Sequence, residues 1–188
     1  MTGELGGVYL AIVDSNKLDE RGRIGITIPH SERAGSYPAH IASFMAGDQR
    51  GALFLPEKDD QVLVAFVNGM ADAPVIIGSL WSSVDKPPEA NADGDNDVKV
   101  IKTRAGNQIR ITDKSGEEKI EIAGKDGNTR VVLDIAKKSI EITTDATNGN
   151  IMVKGKKITL DGEVDITKKL VVGSTTKTTI DGNQITGS

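Results

Sequence analysis

The residues of this chain that could carry chemistry are adjacent carboxylates, two histidines and short Asp-Gly sequences. Asp59-Asp60 and Glu117-Glu118 are the paired carboxylates. Neighbours in a strand point to opposite faces, and both pairs lie among turn-forming residues, so we interpret them as solvated turns. Asp126-Gly127-Asn128 and Asp161-Gly162 resemble fragments of calcium loops but lack the ligand series and the terminal Glu. They too are interpreted as turns.

The two histidines, His30 and His40, flank a segment with Ser31, Glu32, Ser36 and Tyr37. A hydrolytic site would need an activated nucleophile on a strained turn and oxyanion donors, and the pattern shows neither. We therefore expect no enzymatic activity, no catalytic or cofactor-binding residues, no cofactor and no metal site. Zero cysteines exclude disulfides and thiolate ligands.

Charge is distributed unequally along the 188 residues, whose formal net charge is -4. From Val98 onward there are 16 Lys and Arg and 12 Asp and Glu, so this half is +4 and residues 1–97 are -8. An acidic first half repels phosphate, so we expect no nucleic-acid partner. The lysines of the second half alternate with aliphatic residues, which favours a solvating role on exposed strand edges over binding to an anionic surface.

The elements that position these residues are easiest to recognise in residues 98–188. Apolar residues recur there in pairs two apart, and each such pair lies on one face of a strand. The pairs are Ile109/Ile111, Ile120/Ile122, Leu133/Ile135, Ile140/Ile142, Ile151/Val153, Ile158/Leu160, Val164/Ile166 and Leu170/Val172. No aromatic residue follows Trp81. The interior that these strands share must therefore be narrow.

Three architectures fit a narrow aliphatic interior. One chain could coil as a β-solenoid, three chains could wind around one axis, or the strands could form ordinary hairpins. The uneven spacing of the pairs disfavours a solenoid with a fixed coil length, and the missing aromatics disfavour an ordinary core. We predict an intertwined trimer whose axial core is formed by Ile109, Ile111, Ile120, Ile122, Ile140, Ile142, Ile158 and Leu160.

Residues 1–88 carry all six aromatic residues and a different pattern. We predict strands over residues 6–13, 23–28, 51–56, 61–67 and 74–80, with a long loop, or a short helical turn at 39–45, in between. Ile24, Ile26 and Ile28 should share one face, and the strand at 61–67, apolar on both faces, should be central. Five short strands of this size are typical of an OB-fold barrel. Residues 89–97 are then a linker.

Several motifs give the chain a resemblance to a known family. They are Gly7-Val8 with Asp14, Arg23-Ile24-Gly25-Ile26, residues 55–64 (LPEKDDQVLV), residues 74–81 (PVIIGSLW) and Pro87-Pro88. In this order they resemble the central spike proteins of contractile injection systems, which include phage baseplates and type VI secretion. The resemblance implies an all-β protein, with an N-terminal OB-fold barrel followed by a C-terminal trimeric, intertwined triple-stranded β-helix.

The resemblance also implies a function and partners. The function is a structural spike at the tip of a contractile particle that punctures the target cell envelope. Its partners are two further copies of the chain and a baseplate hub protein bound through the OB domain, and the tip is either blunt or capped by a separate PAAR-type protein. The short phage-type spike is the closer match, since no hub or muralytic domain precedes the barrel. Some short spikes bind a tip metal through paired histidines, and residues 179–188 contain none.

Two alternatives stay open: a trimeric tail fibre or adhesin, and an OB-fold binding module without enzymatic activity. Residues 1–15 lack a basic start and include Glu4, and no apolar run approaches a membrane span of about 20 residues. We therefore expect no cleaved signal peptide. The expected location is a phage or phage-tail-like particle, assembled in the cytoplasm and acting outside the cell at the target envelope.

Overall fold

The structure is a computed structural model that describes residues 6–29, 35–168 and 170. Its strands form a barrel, a separate five-stranded sheet and a small hairpin inserted in the barrel. The one helical element in this part of the chain is a 3-10 turn at Val67–Gly69. None of the described helices has the length and apolarity needed to cross a membrane.

The barrel comprises five strands: β1 (Val8–Ser15), β2 (Ile24–Thr27), β3 (Tyr37–Ile41), β6 (Gln61–Phe66) and β7 (Pro74–Leu80). They close in the order β1-β2-β3-β7-β6, in which β3 and β7 pair in parallel and the other pairs are antiparallel. The prediction of a closed, five-stranded, OB-like barrel is confirmed. Closure leaves these strands without a free edge that could recruit another chain.

Alternation of side chains fills the barrel. Inward residues are buried and their strand neighbours are exposed or half-buried, as expected for a pleated strand with one dry face. Ile24 and Ile26 are at most 1% exposed and Ile28 packs against them, which confirms their common face. The core consists of Ala11, Val13, Ile24, Ile26, Tyr37, Ala39, Val62, Val64, Phe66 and Ile76.

One barrel strand was placed wrongly by the sequence pattern. The third strand is Tyr37–Ile41 and not residues 51–56, and residues 39–45 contain no helical turn. The inward residues Tyr37, Ala39 and Ile41 alternate with Pro38 and His40. Because Ala39 is small and Pro38 is rare in strands, this alternation does not resemble the usual apolar pattern of a strand. Residues 42–55 instead contain the hairpin of β4 (Ala46–Gly47) and β5 (Arg50–Gly51).

The second sheet contains β8 (Val98–Lys102), β9 (Gln108–Thr112), β10 (Lys119–Ala123), β11 (Arg130–Asp134) and β12 (Ser139–Thr143). Each strand pairs antiparallel with the next along the chain. Gly116 (φ 80°) and Gly127 (φ 72°) provide the left-handed residues of two of the connecting turns. The predicted strands around Ile109/Ile111, Ile120/Ile122 and Ile140/Ile142 are therefore confirmed, but as hairpins of one chain. The predicted pair Leu133/Ile135 is wrong, because β11 ends at Asp134 and Ile135 lies in the turn that follows.

Residues 144–168, which the structure describes throughout, contain no strand. The sequence predicted strands there around Ile151/Val153, Ile158/Leu160 and Val164/Ile166. A strand needs a hydrogen-bonding neighbour, and these residues find none among residues 6–29 and 35–168. The predicted pair Leu170/Val172 extends outside the described residues.

Candidate assembly surface

One face of the second sheet is almost entirely aliphatic. Residues directly opposite each other on neighbouring strands share a face, so the register places the aliphatic residues in two rows. One row is Ile101, Ile109, Ile122, Val131 and Ile142, and the other is Ile111, Ile120, Leu133 and Ile140. We call these nine residues the aliphatic face.

The aliphatic face is uncovered in the single chain. Eight of its residues are between 36% and 73% exposed, and Val131 is half-buried. Exposed contiguous apolar surface of this kind marks an interaction site, because water contact with aliphatic groups is unfavourable. The chain thus presents a prepared surface for another protein or another copy of itself.

The structure assembles most of the predicted axial residues. Six of the eight lie on the aliphatic face: Ile109, Ile111, Ile120, Ile122, Ile140 and Ile142. Ile158 and Leu160 lie in the strandless segment and are 52% and 69% exposed. For all eight residues of the predicted axial core, the position on a trimer axis remains a prediction. The predicted axial set did not include Ile101, Val131 and Leu133, which the register adds to the same face.

The opposite face of the sheet is polar and carries charge pairs across strands. Arg130 Nη2 donates to Glu141 Oε1 at 3.0 Å, and Lys119 lies 3.2 Å from Glu121 on the same strand. The bond from Arg130 is the main reason that the pKa of Glu141 is lowered. These pairs are partly exposed and contribute little stability each. The same face also carries Val100, opposite Arg110, and Val132, opposite Glu121, and Val132 is only 7% exposed.

The connection between barrel and sheet begins over the polar face. Arg110 Nη2 donates to Glu89 Oε2 at 2.8 Å, with both side chains about one third exposed. The backbone N–H of Asp113 donates to the carbonyl of Asp97 at 2.8 Å. Glu89 therefore lies over the polar face, whereas near the other end of the connection the ammonium of Lys99, on the side of the aliphatic face, donates to the carbonyl of Asn96 at 2.6 Å.

A second contact joins the sheet to the barrel. Arg104, in the turn after β8, donates to Glu57 at 2.9 Å, and Asn16 donates to the same carboxylate oxygen at 3.1 Å. Asn16 follows β1 and Glu57 precedes β6, so both belong to the end of the barrel from which β7 leads into the connection. The Arg104 side chain is 82% exposed, which makes this a weak link.

The adjacent carboxylates are turns, as predicted. Asp59 has φ 74°, and the Asp60 carboxylate accepts the backbone N–H of Glu57 at 2.8 Å. Glu117 pairs with Lys114 at 2.6 Å, which lowers the pKa of Glu117 and raises that of Lys114. The Asp126 carboxylate accepts the backbone N–H of Asn128, closing the turn before β11.

The candidate hydrolytic site around the two histidines is only partly covered by the described residues. His40 is exposed on β3, and His30, Ser31 and Glu32 lie outside the described residues. No group of three or more His, Cys, Asp or Glu side chains with metal-binding geometry occurs in the described part of the chain. Tyr9 makes an edge-to-face contact with Phe66, with ring centroids 5.3 Å apart.

Comparison with known proteins identifies relatives of the barrel. Residues 9–81 match the family described as the type VI secretion system/phage-baseplate injector OB domain. The chain is 28% identical over 112 residues to the type VI secretion system spike protein VgrG3 of Vibrio cholerae serotype O1, El Tor strain. It is also 28% identical over 112 residues to the actin cross-linking toxin VgrG1 of the Ogawa strain of that serotype.

Each alignment covers 54% of this chain but only 11% and 10% of the respective relative, so the chain spans about a tenth of the length of these proteins. The matched family residues 9–81 coincide with the five-stranded barrel. The resemblance drawn from the sequence motifs is therefore confirmed at the level of the injector OB domain.

Proposed function

We propose that the chain is a homotrimeric spike of a contractile injection particle. The proposal starts from the match of residues 9–81 to the type VI secretion system/phage-baseplate injector OB domain family. The domains of the chain are the OB barrel (1–88), a connection (89–97) and the shaft and tip (98–188). The barrel docks on a baseplate hub protein, and the shaft meets and punctures the target envelope. The role is structural, at the leading end of a phage or phage-tail-like particle.

The observation that carries this proposal is the uncovered aliphatic face. At about 25 cal/mol per Å² of apolar area, covering side chains that are roughly half exposed contributes about 1 kcal/mol each. Nine such residues give a gross gain of the order of 10 kcal/mol per chain before the entropic costs of association. A sheet with one apolar face gains this free energy only when the face packs against an equally apolar surface. Two further copies of the chain, related by threefold symmetry, provide such a surface.

The strandless segment supports the same arrangement. The period-two aliphatic pattern of residues 98–143 continues through Ile151, Val153, Ile158 and Leu160, each about half exposed or more. In a trimer, strands of neighbouring chains supply the missing backbone partners for these residues. The shaft then has two parts: hairpins within each chain at 98–143, and an intertwined triple-stranded β-helix beyond residue 144.

This arrangement restricts the predicted intertwined β-helix to the part of the shaft beyond residue 144. The first part of the shaft is held by bonds within each chain and by the pooled aliphatic faces, and interchain bonds belong to the second part. A PAAR-type protein at the tip remains part of the proposal, from the family resemblance alone.

The mass of the purified chain in solution tests the proposal. Native mass spectrometry should find a species of three times 19.9 kDa. Electron microscopy of the same sample should show a globular base with a thin shaft. A monomer at micromolar concentration would refute the spike and favour the alternative of an OB-fold binding module. A trimer that fails to bind its hub protein would favour a tail fibre or adhesin.

A further inference from the structure

The connection between β3 and β6 forms a pre-organised arm on the barrel, which we define as residues 42–55. Its hairpin of β4 and β5 is closed by the hydroxyl of Ser43, which lies 2.8 Å from the carbonyl of Ala52 and 3.0 Å from that of Met45. The backbone N–H of Ala52 also donates to the carbonyl of Met45 at 3.0 Å. These bonds fix the base of the arm, so its side chains are presented in a defined arrangement.

The arm exposes large apolar side chains that the barrel core does not use. Phe44 is 87% exposed, Leu53 72%, Phe54 66% and Met45 51%. Together with Leu18 and Ile41 they line an open groove of about 880 Å³. Two aromatic rings so exposed on one groove form the kind of anchor pocket that protein interfaces use.

Charge distinguishes this groove from the rest of its domain. Arg21 and Arg50 line the groove, and no Asp or Glu does. Neither guanidinium has an ion-pair partner within residues 6–29 and 35–168, which the structure describes. Residues 1–97 carry a net charge of -8. Two unpaired arginines beside an aromatic groove on an acidic domain therefore call for a ligand that is both apolar and anionic.

We propose that the groove binds an extended segment of a partner protein, in which an apolar side chain enters between Phe44 and Phe54 and flanking Asp or Glu side chains face Arg21 and Arg50. Arginine recognises carboxylates through its fork of N–H donors, which gives the site selectivity for acidic segments. This site shares no residue with the aliphatic face.

A second copy of the chain fits the groove less well. The aliphatic face carries no carboxylate, and the one cation in its register, Lys99 opposite Ile111, is already paired with Asp113 at 2.6 Å, so this face offers no free anionic group to the two arginines. Charge complementarity thus selects an acidic segment from a different protein over the shaft of a neighbouring chain.

Selection of random peptides displayed on phage against the full-length chain tests the proposal. The double variant Phe44→Ser/Phe54→Ser serves for counter-selection, and Val84→Ser, which replaces an 83% exposed residue outside the groove, is the matched control. We expect a consensus with one apolar anchor flanked by Asp or Glu. Such a peptide, synthesised with a fluorophore, should bind the Val84→Ser variant like the original chain and the double variant at least tenfold more weakly.

Charge reversal and native mass complete the experiment. Arg21→Glu/Arg50→Glu should weaken the acidic peptide at least tenfold and should bind its Lys-substituted analogue more tightly than the original chain does. Selected peptides without acidic residues, or equal binding to the double variant, would overturn the proposal. A double variant that folds, by circular dichroism, but has a smaller native mass than the original chain would also overturn it, because the arm would then be a contact between copies.

Discussion

Replacing Ile122 with aspartate tests the aliphatic face at its centre. Ile122 lies on the middle strand β10, directly opposite Ile109 and Val131. In the single chain it is 53% exposed, so the new carboxylate remains in water. The cost within one sheet is the loss of two cross-strand pairs, about 0.5–2 kcal/mol in total.

The cost in the proposed trimer is far larger. Each chain loses about 1 kcal/mol of aliphatic burial and must bury an unpaired carboxylate, at several kcal/mol. Summed over three chains, the penalty is of the order of 10 kcal/mol or more, and each 1.4 kcal/mol is a factor of about ten in the association constant. We expect Ile122→Asp to be a folded monomer at concentrations where the original chain is a trimer.

The matched control is Ala123→Asp. Ala123 is the next residue of the same strand, on the polar face, opposite Gln108 and Arg130. It introduces the same residue at nearly the same place, and we expect the trimer to persist. Native mass spectrometry and sedimentation of both variants, with circular dichroism as a folding control, give the comparison.

The pH dependence of Ile122→Asp adds a second readout. Burial among aliphatic residues raises the pKa of the introduced carboxyl group in the trimer above its value in the monomer, so the trimer binds more protons. Trimer should therefore reappear as the pH falls from about 8 toward about 4, where an aspartate carboxyl begins to take up its proton even in water. If Ile122→Asp stays trimeric at the upper end of this range, or if both variants dissociate alike, the assignment of this face to the axis is wrong.

Three further outcomes follow from the barrel. Ile26→Ala should lower the free energy of unfolding by about 2–5 kcal/mol in urea titrations, because Ile26 is fully buried. Asp19 has a pKa lowered from 3.8 to about 2, mainly by the backbone N–H of Arg23 and then by its side chain. Its contribution to stability is thus present above pH 3.8 and lost as the pH falls toward 2, and in NMR titrations Arg23→Ala should move this pKa part of the way back. Gly51→Ala should disrupt the arm, with amide shift changes confined to it, since Gly51 has φ 150° and an added Cβ would lie 2.6 Å from the carbonyl oxygen of Met45.

Much of the architecture was readable from side-chain periodicity. The strand at Pro74–Leu80 has the predicted bounds, and that at Gln61–Phe66 differs by one residue, because the first apolar run stops before Asn68-Gly69 and the second begins at Pro74. The strand Tyr37–Ile41 was missed. Its inward positions hold Tyr, Ala and Ile, and its outward positions hold Pro38 and His40, a composition that is not typical of a strand. Its pairing with β7 depends on residues more than 30 positions away, which local pattern cannot show.

The sequence pattern identified most residues of the aliphatic face but not the way in which their strands pair. The pairs Ile109/Ile111, Ile120/Ile122 and Ile140/Ile142 were identified from spacing alone, because a period of two fixes the face of a strand. Whether those strands pair within or between chains is decided by the turns, and turns such as that at Gly127 are long enough to return the chain beside itself. The apolar arm was misread: Leu53 and Phe54 belong to the predicted strand at 51–56, and Phe44 to the predicted loop or helical turn, because sequence patterns do not distinguish an exposed aromatic residue from a buried one.

The hairpin pairing of residues 98–143 has a consequence for the order of events in folding. Each strand of this sheet bonds to the strand next to it in the chain, so its contacts are short in sequence and cost little loop-closure entropy. Such a sheet can zip up on the chain before any encounter with another copy. The register of the nine aliphatic residues is then set locally, and assembly becomes the docking of finished surfaces, whose rate depends on protein concentration.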